Sequence, residues 1–376
     1  MHIGLYVHIP FCISKCRYCD FNSRVAPDRI RQTYLQALKI ELQKRLTTLP
    51  ITAIPTVFFG GGTPTIYPVA QLARLVDLIK KLAPVADDAE ISIESNPDTI
   101  DREKLRNLRD AGFNRLSIGV QSLNDAELKL LGRTHTADGA REAVRIARET
   151  FDNLSIDLIS GLPGQSVAQW EQTLQEAVTL SPDHISAYGL MLEEGTPLHE
   201  MVHDGELPPI DDDVAADMYE LTQQMLSDAG FGQYEISNYA RPGMECRHNQ
   251  IYWKNEPYVG CGAGAVSYIR GARRKNISDP VAYKRAVAVG DALAQFEETL
   301  ERQGRAAEAI MLGLRTSSGV DLQSLSEDLG IDLEKKYADE IRWIVALNLG
   351  EYDSGRLRLN PRRGFALHSE IASRFF

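Results

Sequence analysis

The sequence predicts an α/β fold: an open, partial barrel of six strand–helix units, then an α+β extension, then a winged-helix-like C-terminal unit. Three observations predict it. Short β-rich runs recur through the first 210 residues at intervals of about 25–40 residues, with helically spaced apolar residues between them. A Pro- and Asp-rich break, ELPPIDDDV at 206–214, then ends the alternation. Beyond about residue 298, three helical patterns are followed by EYDSGRLRLN, which reads as a hairpin.

The strands are expected at Leu5–Ile9, Thr56–Phe59, Ile91–Glu94, Arg115–Gly119, Ser155–Ile159 and His184–Tyr188. Between the first two, Ile30, Tyr34, Leu38 and Leu42 recur at four-residue steps and line one helix face. Val69–Leu82 repeats the pattern with Leu72, Leu75, Val76 and Ile79. Thr99–Ala111, Ala140–Thr150 and Ser166–Leu180 read as further helices, with Gly112 closing the first of these. Strands joined by helices run parallel, and such sheets gather functional groups at their C-terminal edge. The expected units are a barrel over 1–210, an extension over 211–297 that opens with a helix at Ala215–Ala229, and a C-terminal unit over 298–376. Helices at Ala306–Leu314, Leu322–Leu329 and Leu333–Leu347 belong to the last.

The 376 residues carry 41 basic and 52 acidic side chains, a formal charge of −11. This argues against a protein that holds nucleic acid by general attraction to phosphate. The first residues, MHIGLYVHIPFC, do not read as a targeting leader, and no apolar run approaches the length of a membrane span. The expected location is therefore the cytoplasm, where thiols stay reduced. The five cysteines are then candidates for metal binding or redox chemistry rather than for disulfides.

Three of them, Cys12, Cys16 and Cys19, lie within FCISKCRYCD in a C-x3-C-x2-C pattern, on the loop that follows the first strand. Buried packing suits three cysteines among Lys15, Arg17 and Asp20 poorly. Structural zinc usually takes four ligands, and Cys246 and Cys261 are remote while His8 is near. A 4Fe–4S cube on three thiolates is the third reading. It leaves one iron open, where the amino and carboxylate groups of S-adenosylmethionine (SAM) can chelate. A fourth thiolate would occupy that iron.

Other strand ends add polar or glycine residues. FFGGGTPT brings Gly60, Gly61, Gly62 and Thr63, and three glycines let backbone approach a ligand closely. The missing GK[ST] excludes a P-loop. Glu94 lies in SIESNP, Gln121 ends SIGVQ, Asp157 lies in SIDLIS and Arg133 in LGRTH. A lone acid at a strand end often only caps the next helix, but several strands ending in polar groups make a site. Glu94 suits ribose hydroxyls, while Gln121, Arg133 and Asp157 suit a carboxylate, an amine or a second ligand.

With LYVHIPFC, CRYCDF, GGGTPT, SIGVQS and DLISGLPGQ in this order, the chain resembles the HemN/HemW group of radical SAM proteins over nearly its whole length. The resemblance implies a partial (β/α)6 radical SAM barrel, a 4Fe–4S cluster on Cys12, Cys16 and Cys19, and SAM at the open iron. Tyr6, Gly61 and Glu94 would face that SAM. Tyr18, Gly62, Thr63, Gln121, Arg133 and Asp157 match positions that face a second SAM or its surroundings in HemN-type enzymes. Those enzymes are oxygen-independent coproporphyrinogen III oxidases of porphyrin biosynthesis. Their motif continues to a fourth cysteine, where this chain has Phe21, and they carry an N-terminal arm where this chain has 11 residues before Cys12.

Both departures match the HemW type, regarded as heme chaperones. HNQIYW at 248–253 resembles that type's HNxxYW motif, and His248 offers an imidazole suited to the iron of a heme b cargo. The implied function is binding of heme and its transfer to acceptor hemoproteins such as respiratory enzymes, with peripheral membrane contact as an accompanying expectation and no nucleic-acid partner. A radical SAM enzyme of porphyrin metabolism is the alternative. A structural protein with zinc or a cluster, and no radical chemistry, is a third reading.

Overall fold

A computed structural model describes all of residues 1–376. Six parallel strands succeed one another in chain order: β1 (Gly4–Ile9), β2 (Ile54–Gly61), β3 (Val85–Ser95), β4 (Arg115–Gln121), β5 (Leu154–Ser160) and β6 (His184–Gly189). Helices Asp28–Thr48, Val69–Leu82, Arg102–Asp110, Ala137–Arg148 and Val167–Thr179 form the crossovers. Apolar residues of the strands and of these helices share one core cluster, which includes Leu5, Val57, Ile93, Ile118, Ile156, Leu38, Leu75 and Leu174. Strands so covered read as near-continuous hydrophobic runs, which is why they were legible.

Four details depart from expectation. The short helix Asp125–Leu131, capped by Asn124, adds a turn before the fourth crossover helix. Helix Leu333–Leu347 is instead two helices, Leu333–Lys336 and Ala338–Ala346, broken at Tyr337. A last helix, His368–Ser373, closes the chain. Beyond its opening helix the extension is mostly strand: β7 (Gly232–Glu235), β8 (Asn238–Ala240), β9 (Tyr258–Cys261), β10 (Val266–Ile269), β11 (Ala272–Asn276) and β12 (Ala294–Thr299). The twelve strands make one sheet in the order β12-β11-β10-β9-β1-β2-β3-β4-β5-β6-β8-β7. β9 runs parallel to β1 as a seventh parallel strand, with Tyr6 opposite Gly260, while the outer strands pair antiparallel.

The core explains this arrangement. Met218, Leu226, Phe231, Tyr239, Val259 and Tyr283 join the same 51-residue apolar cluster as the barrel. A separate 16-residue cluster runs from Ala306 to Phe375. There the helices pack on the hairpin Gly350–Asp353/Arg356–Leu359, which is widened by Val320–Asp321 into the three-stranded sheet of a winged-helix-like unit. The fully buried Glu235 accepts a bond from Arg315 at 2.7 Å and joins the two parts.

One buried acid holds β9 against the barrel. Glu41, on the first crossover helix, accepts from the Gly262 amide at 2.7 Å, from Asn276 Nδ2 at 2.7 Å and from the Tyr283 hydroxyl at 2.6 Å. Burial raises its pKa and these donors lower it. Truncation would strand three buried donors. Glu41→Ala is expected to lower unfolding stability by about 3–5 kcal/mol, with Glu41→Gln costing less, as read from urea midpoints at constant m.

Candidate functional site

The C-terminal edge of the sheet carries a cavity of about 120 Å³. Cys12, Cys16, Cys19, Tyr18, Gly61, Gly62, Thr63, Glu94, Gln121, Arg133 and Asp157 all line it. They come from the cluster loop, the turn that ends β2, the strands β3, β4 and β5, and, for Arg133, the loop after the helix Asp125–Leu131. Tyr6, opposite Phe58 and so three strand positions below Gly61, packs against Phe58, His8 and His248 instead.

The cluster loop is fixed by backbone. Gly62 N–H donates to Ile9 O at 2.8 Å and Thr63 N–H to Phe11 O at 2.8 Å, so the glycine turn lies on the chain leading to Cys12. A Cβ on Gly62 would stand 2.5 Å from Phe11 O. Gly61 has φ +108° and donates its N–H to Glu94 Oε2 at 3.0 Å. From the other side Asn22 donates to Ala263 O at 2.9 Å and to Ser278 O at 3.0 Å, and Gly264 leaves the room it needs. Cys16 accepts a bond from Arg133 Nη1 at 3.4 Å, and Cys19 meets Ser23 Oγ at 3.8 Å. Burial pushes the Cys12 thiol up, while hydrogen bonds from Thr63 and Ser23 oppose the shift.

The donor set fits an iron–sulfur group on three thiolates. All three cysteines are free and partly exposed on one cavity. No three His, Cys, Asp or Glu side chains converge on a single-ion site, and a cube does not require this, because each thiolate takes its own iron. Phe21, in the position of a fourth cysteine, is 67% exposed at the mouth. Its carbonyl accepts from Lys15 Nζ at 2.7 Å.

Two acids share the floor of the cavity. Burial raises Glu94 to about 8, with Asp157 as a second cause and the Gly61 amide opposing. Burial likewise raises Asp157, while Ser186, Arg115 and Ser117 oppose the shift. Glu94 is opposite Ser117, and Ser117 Oγ lies 3.2 Å from Asp157 Oδ1. Gln121 sits at a β-bulge in the left-handed region, φ 68°, a strained backbone of the kind found where a side chain is aimed at a ligand.

Arg133 is one of the three residues expected to hold a carboxylate, an amine or a second ligand. Its guanidinium also donates to Asn96 Oδ1 at 2.8 Å and to Gly119 O at 2.7 Å, so it braces Cys16 against two strand ends. Asn96 and Ser95, which also line the cavity, escaped the sequence reading because SNP before a turn reads as a helix cap. Lys15 and Ser23 escaped it as ordinary polar loop residues.

His248 stands apart from the cavity and is not an open ligand. It is 1% exposed on helix Arg247–Trp253, with Nδ1 2.7 Å from Thr56 Oγ1 and Nε2 2.8 Å from the Tyr252 hydroxyl. Its ring stacks on Phe58 at 5.2 Å. Burial, then the charge of Arg115, lowers its pKa to about 3, so the imidazole is neutral. Both nitrogens are occupied because the motif helix plugs the barrel, a placement invisible in the motif itself. Glu90 receives the helix's first amides, from Arg247 at 2.9 Å and His248 at 3.1 Å.

A parallel α/β sheet with three cysteines on the loop after β1 and a glycine turn after β2 is the class of fold and site that the profile of the radical SAM superfamily describes, and that profile matches residues 6–177. The HemN C-terminal domain profile matches residues 300–366. The Escherichia coli coproporphyrinogen III oxidase HemN superposes with TM-score 0.86 at 26% identity, covering 99% of this chain and 89% of that one. The chain is 38% identical to the Bacillus subtilis protein named heme chaperone HemW, over 98% of both. It is 37% identical to the Mycobacterium tuberculosis protein of the same name, over 96% of this chain and 91% of the relative. The mouse mitochondrial radical S-adenosyl methionine domain-containing protein 1 is 38% identical over 85% of this chain and 74% of its own length. The chain belongs to the HemW group of the radical SAM superfamily.

The paired acids set a pH dependence. A carboxyl whose folded pKa is raised costs nothing below its unfolded value of about 4.5, and the cost grows until pH passes about 8. In cluster-free protein, Glu94→Gln is expected to raise the thermal midpoint above wild type at pH 8, with the gap closing towards pH 5. A gap that widens towards pH 5 would contradict this.

Proposed function

We propose that this protein is a heme chaperone built on a radical SAM scaffold, which binds heme b and passes it to acceptor hemoproteins. The observation that carries the reading is 34–38% identity, over 96–98% of the chain, to proteins named heme chaperone HemW, together with Phe21 in place of a fourth cysteine. In this reading Cys12, Cys16 and Cys19 hold a 4Fe–4S cluster and leave one iron for SAM. Glu94 accepts from the ribose hydroxyls, the Gly61 and Gly62 backbone lies against the ligand, and Arg133 steadies Cys16. Tyr18, Thr63, Gln121 and Asp157 form the far wall, and Tyr6 supports the near one. When bound, cluster and SAM supply one-electron chemistry; the chain's residues bind, orient and exclude water.

Heme ligation by His248 requires Tyr252 to release Nε2, and so an opening of the 247–253 helix. We read residues 1–210 as the cofactor unit, 211–297 as the unit that carries this helix, and 298–376 as a unit packed against that extension. We also read the chain as a cytoplasmic protein that approaches membranes only peripherally, to reach respiratory acceptors. No helix is long and apolar enough to cross a membrane.

Heme added to purified protein is expected to give a saturable Soret band, weakened by His248→Ala. Anaerobic reconstitution is expected to give about four irons and four sulfides per chain. Incubation with SAM, a reductant and coproporphyrinogen III is expected to leave the porphyrinogen unchanged. No saturable Soret band would end the chaperone reading, and conversion to protoporphyrinogen would replace it with the oxidase.

A further inference from the structure

His8 is used by none of the roles above, yet two parts of the cofactor site meet on it. Its Nε2 lies 2.9 Å from Asn22 O, three residues past Cys19 on the cluster loop. Its ring rests on Gly61, where a Cβ would stand 2.3 Å from Cε1, and Gly61 donates to Glu94. On the other side, His8 Nδ1 is 2.9 Å from the Tyr6 hydroxyl. The Tyr6 ring stacks on His248, 6.3 Å between centroids at 28°, with Phe58 stacked against both. His248 is in turn tied to Tyr252 on its own helix. The contacts form an unbroken chain from the cluster loop and the Gly61–Glu94 edge to the helix Arg247–Trp253.

We propose that His8 is a positioning residue that couples this helix to the cofactor site, so that SAM at the Gly61–Glu94 edge holds the helix closed over His248. A ligand that engages Glu94 and packs on Gly61 orders the backbone beneath the His8 ring. The ring then fixes the Tyr6 hydroxyl, and with it the stack on His248. Opening the helix must break that stack, so the ligand stabilises the closed form and disfavours exposure of the imidazole. By linkage, a molecule that binds the opened helix weakens SAM binding by the same factor. The inference rests on the reading that SAM binds at Glu94. It adds that SAM and heme oppose one another, which makes SAM a release signal for heme.

The test is hydrogen exchange of the reconstituted protein with and without saturating SAM, with SAM occupancy measured separately by equilibrium dialysis. Amides of 247–253 are expected to exchange about fivefold or more slowly with SAM bound. In His8→Leu, and in His8→Phe, which keeps a ring but loses both hydrogen bonds, SAM at saturation should leave their exchange unchanged while iron content matches wild type. In parallel, the heme Kd of wild type should rise about fivefold with SAM, and that of His8→Leu should not change. SAM that binds without slowing the helix overturns the coupling and leaves the site reading standing. Variants that respond as wild type does overturn the role of His8. Failure of SAM to bind removes the site reading and the coupling together.

Discussion

The site depends on backbone pressed against backbone. Gly62 and Thr63 donate to Ile9 and Phe11, so the turn after β2 lies directly on the chain that enters the cluster loop. Any Cβ at Gly62 would collide with Phe11. This contact sets how far the three thiols stand from Glu94 and the ends of β3 and β4. Asn22 clamps the loop from the opposite side through Ala263 and Ser278, so a cofactor loop near residue 16 is held by chain about 250 residues away. The acid Glu41 supports that outer clamp through Gly262 and Asn276.

Electrostatics inside the barrel follows from the same enclosure. Strands buried on both faces would ordinarily carry only apolar side chains. Here Thr56, Glu90, Ser92, Arg115, Ser117, Ser155, His184 and Ser186 are buried with them. Burial withholds charge from Glu94 and keeps His248 neutral, while the Arg115 cation opposes the rise at both Glu94 and Asp157. A ligand bringing hydroxyl and ammonium donors would relieve the cost of ionising these acids. With nothing to relieve that cost, the two buried acids are destabilising to the fold, a trade common at functional sites.

Legibility in the sequence tracked the range of the interaction. Cys12, Cys16 and Cys19 act through spacing along a few residues, and the glycines, Glu94, Gln121 and Asp157 through their place at strand ends. The parallel sheet puts those ends on one edge, so periodicity alone gathered them. Asn96, Asn22 and His8 act through partners on other elements, and each reads locally as a cap or a loop residue. Arg133 was found, but its bonds to Cys16, Asn96 and Gly119 give it a bracing role that a position in LGRTH does not convey. The strand Tyr258–Cys261 is only four residues long and becomes a strand because β1 offers it a parallel edge.

The sequence by itself determined the strand–helix alternation, the C-x3-C-x2-C thiol triad and the polar residues of the strands, because these are set by local propensity and residue chemistry. Tertiary structure decided what surrounds them. It joined the extension to the barrel's own core, braced the cluster loop from two distant segments, and buried His248 between Thr56, Phe58 and Tyr252. Burial and hydrogen-bond partnership depend on segments brought together by folding, so the accessibility of an imidazole and the ionisation of a carboxyl are properties of the packed molecule.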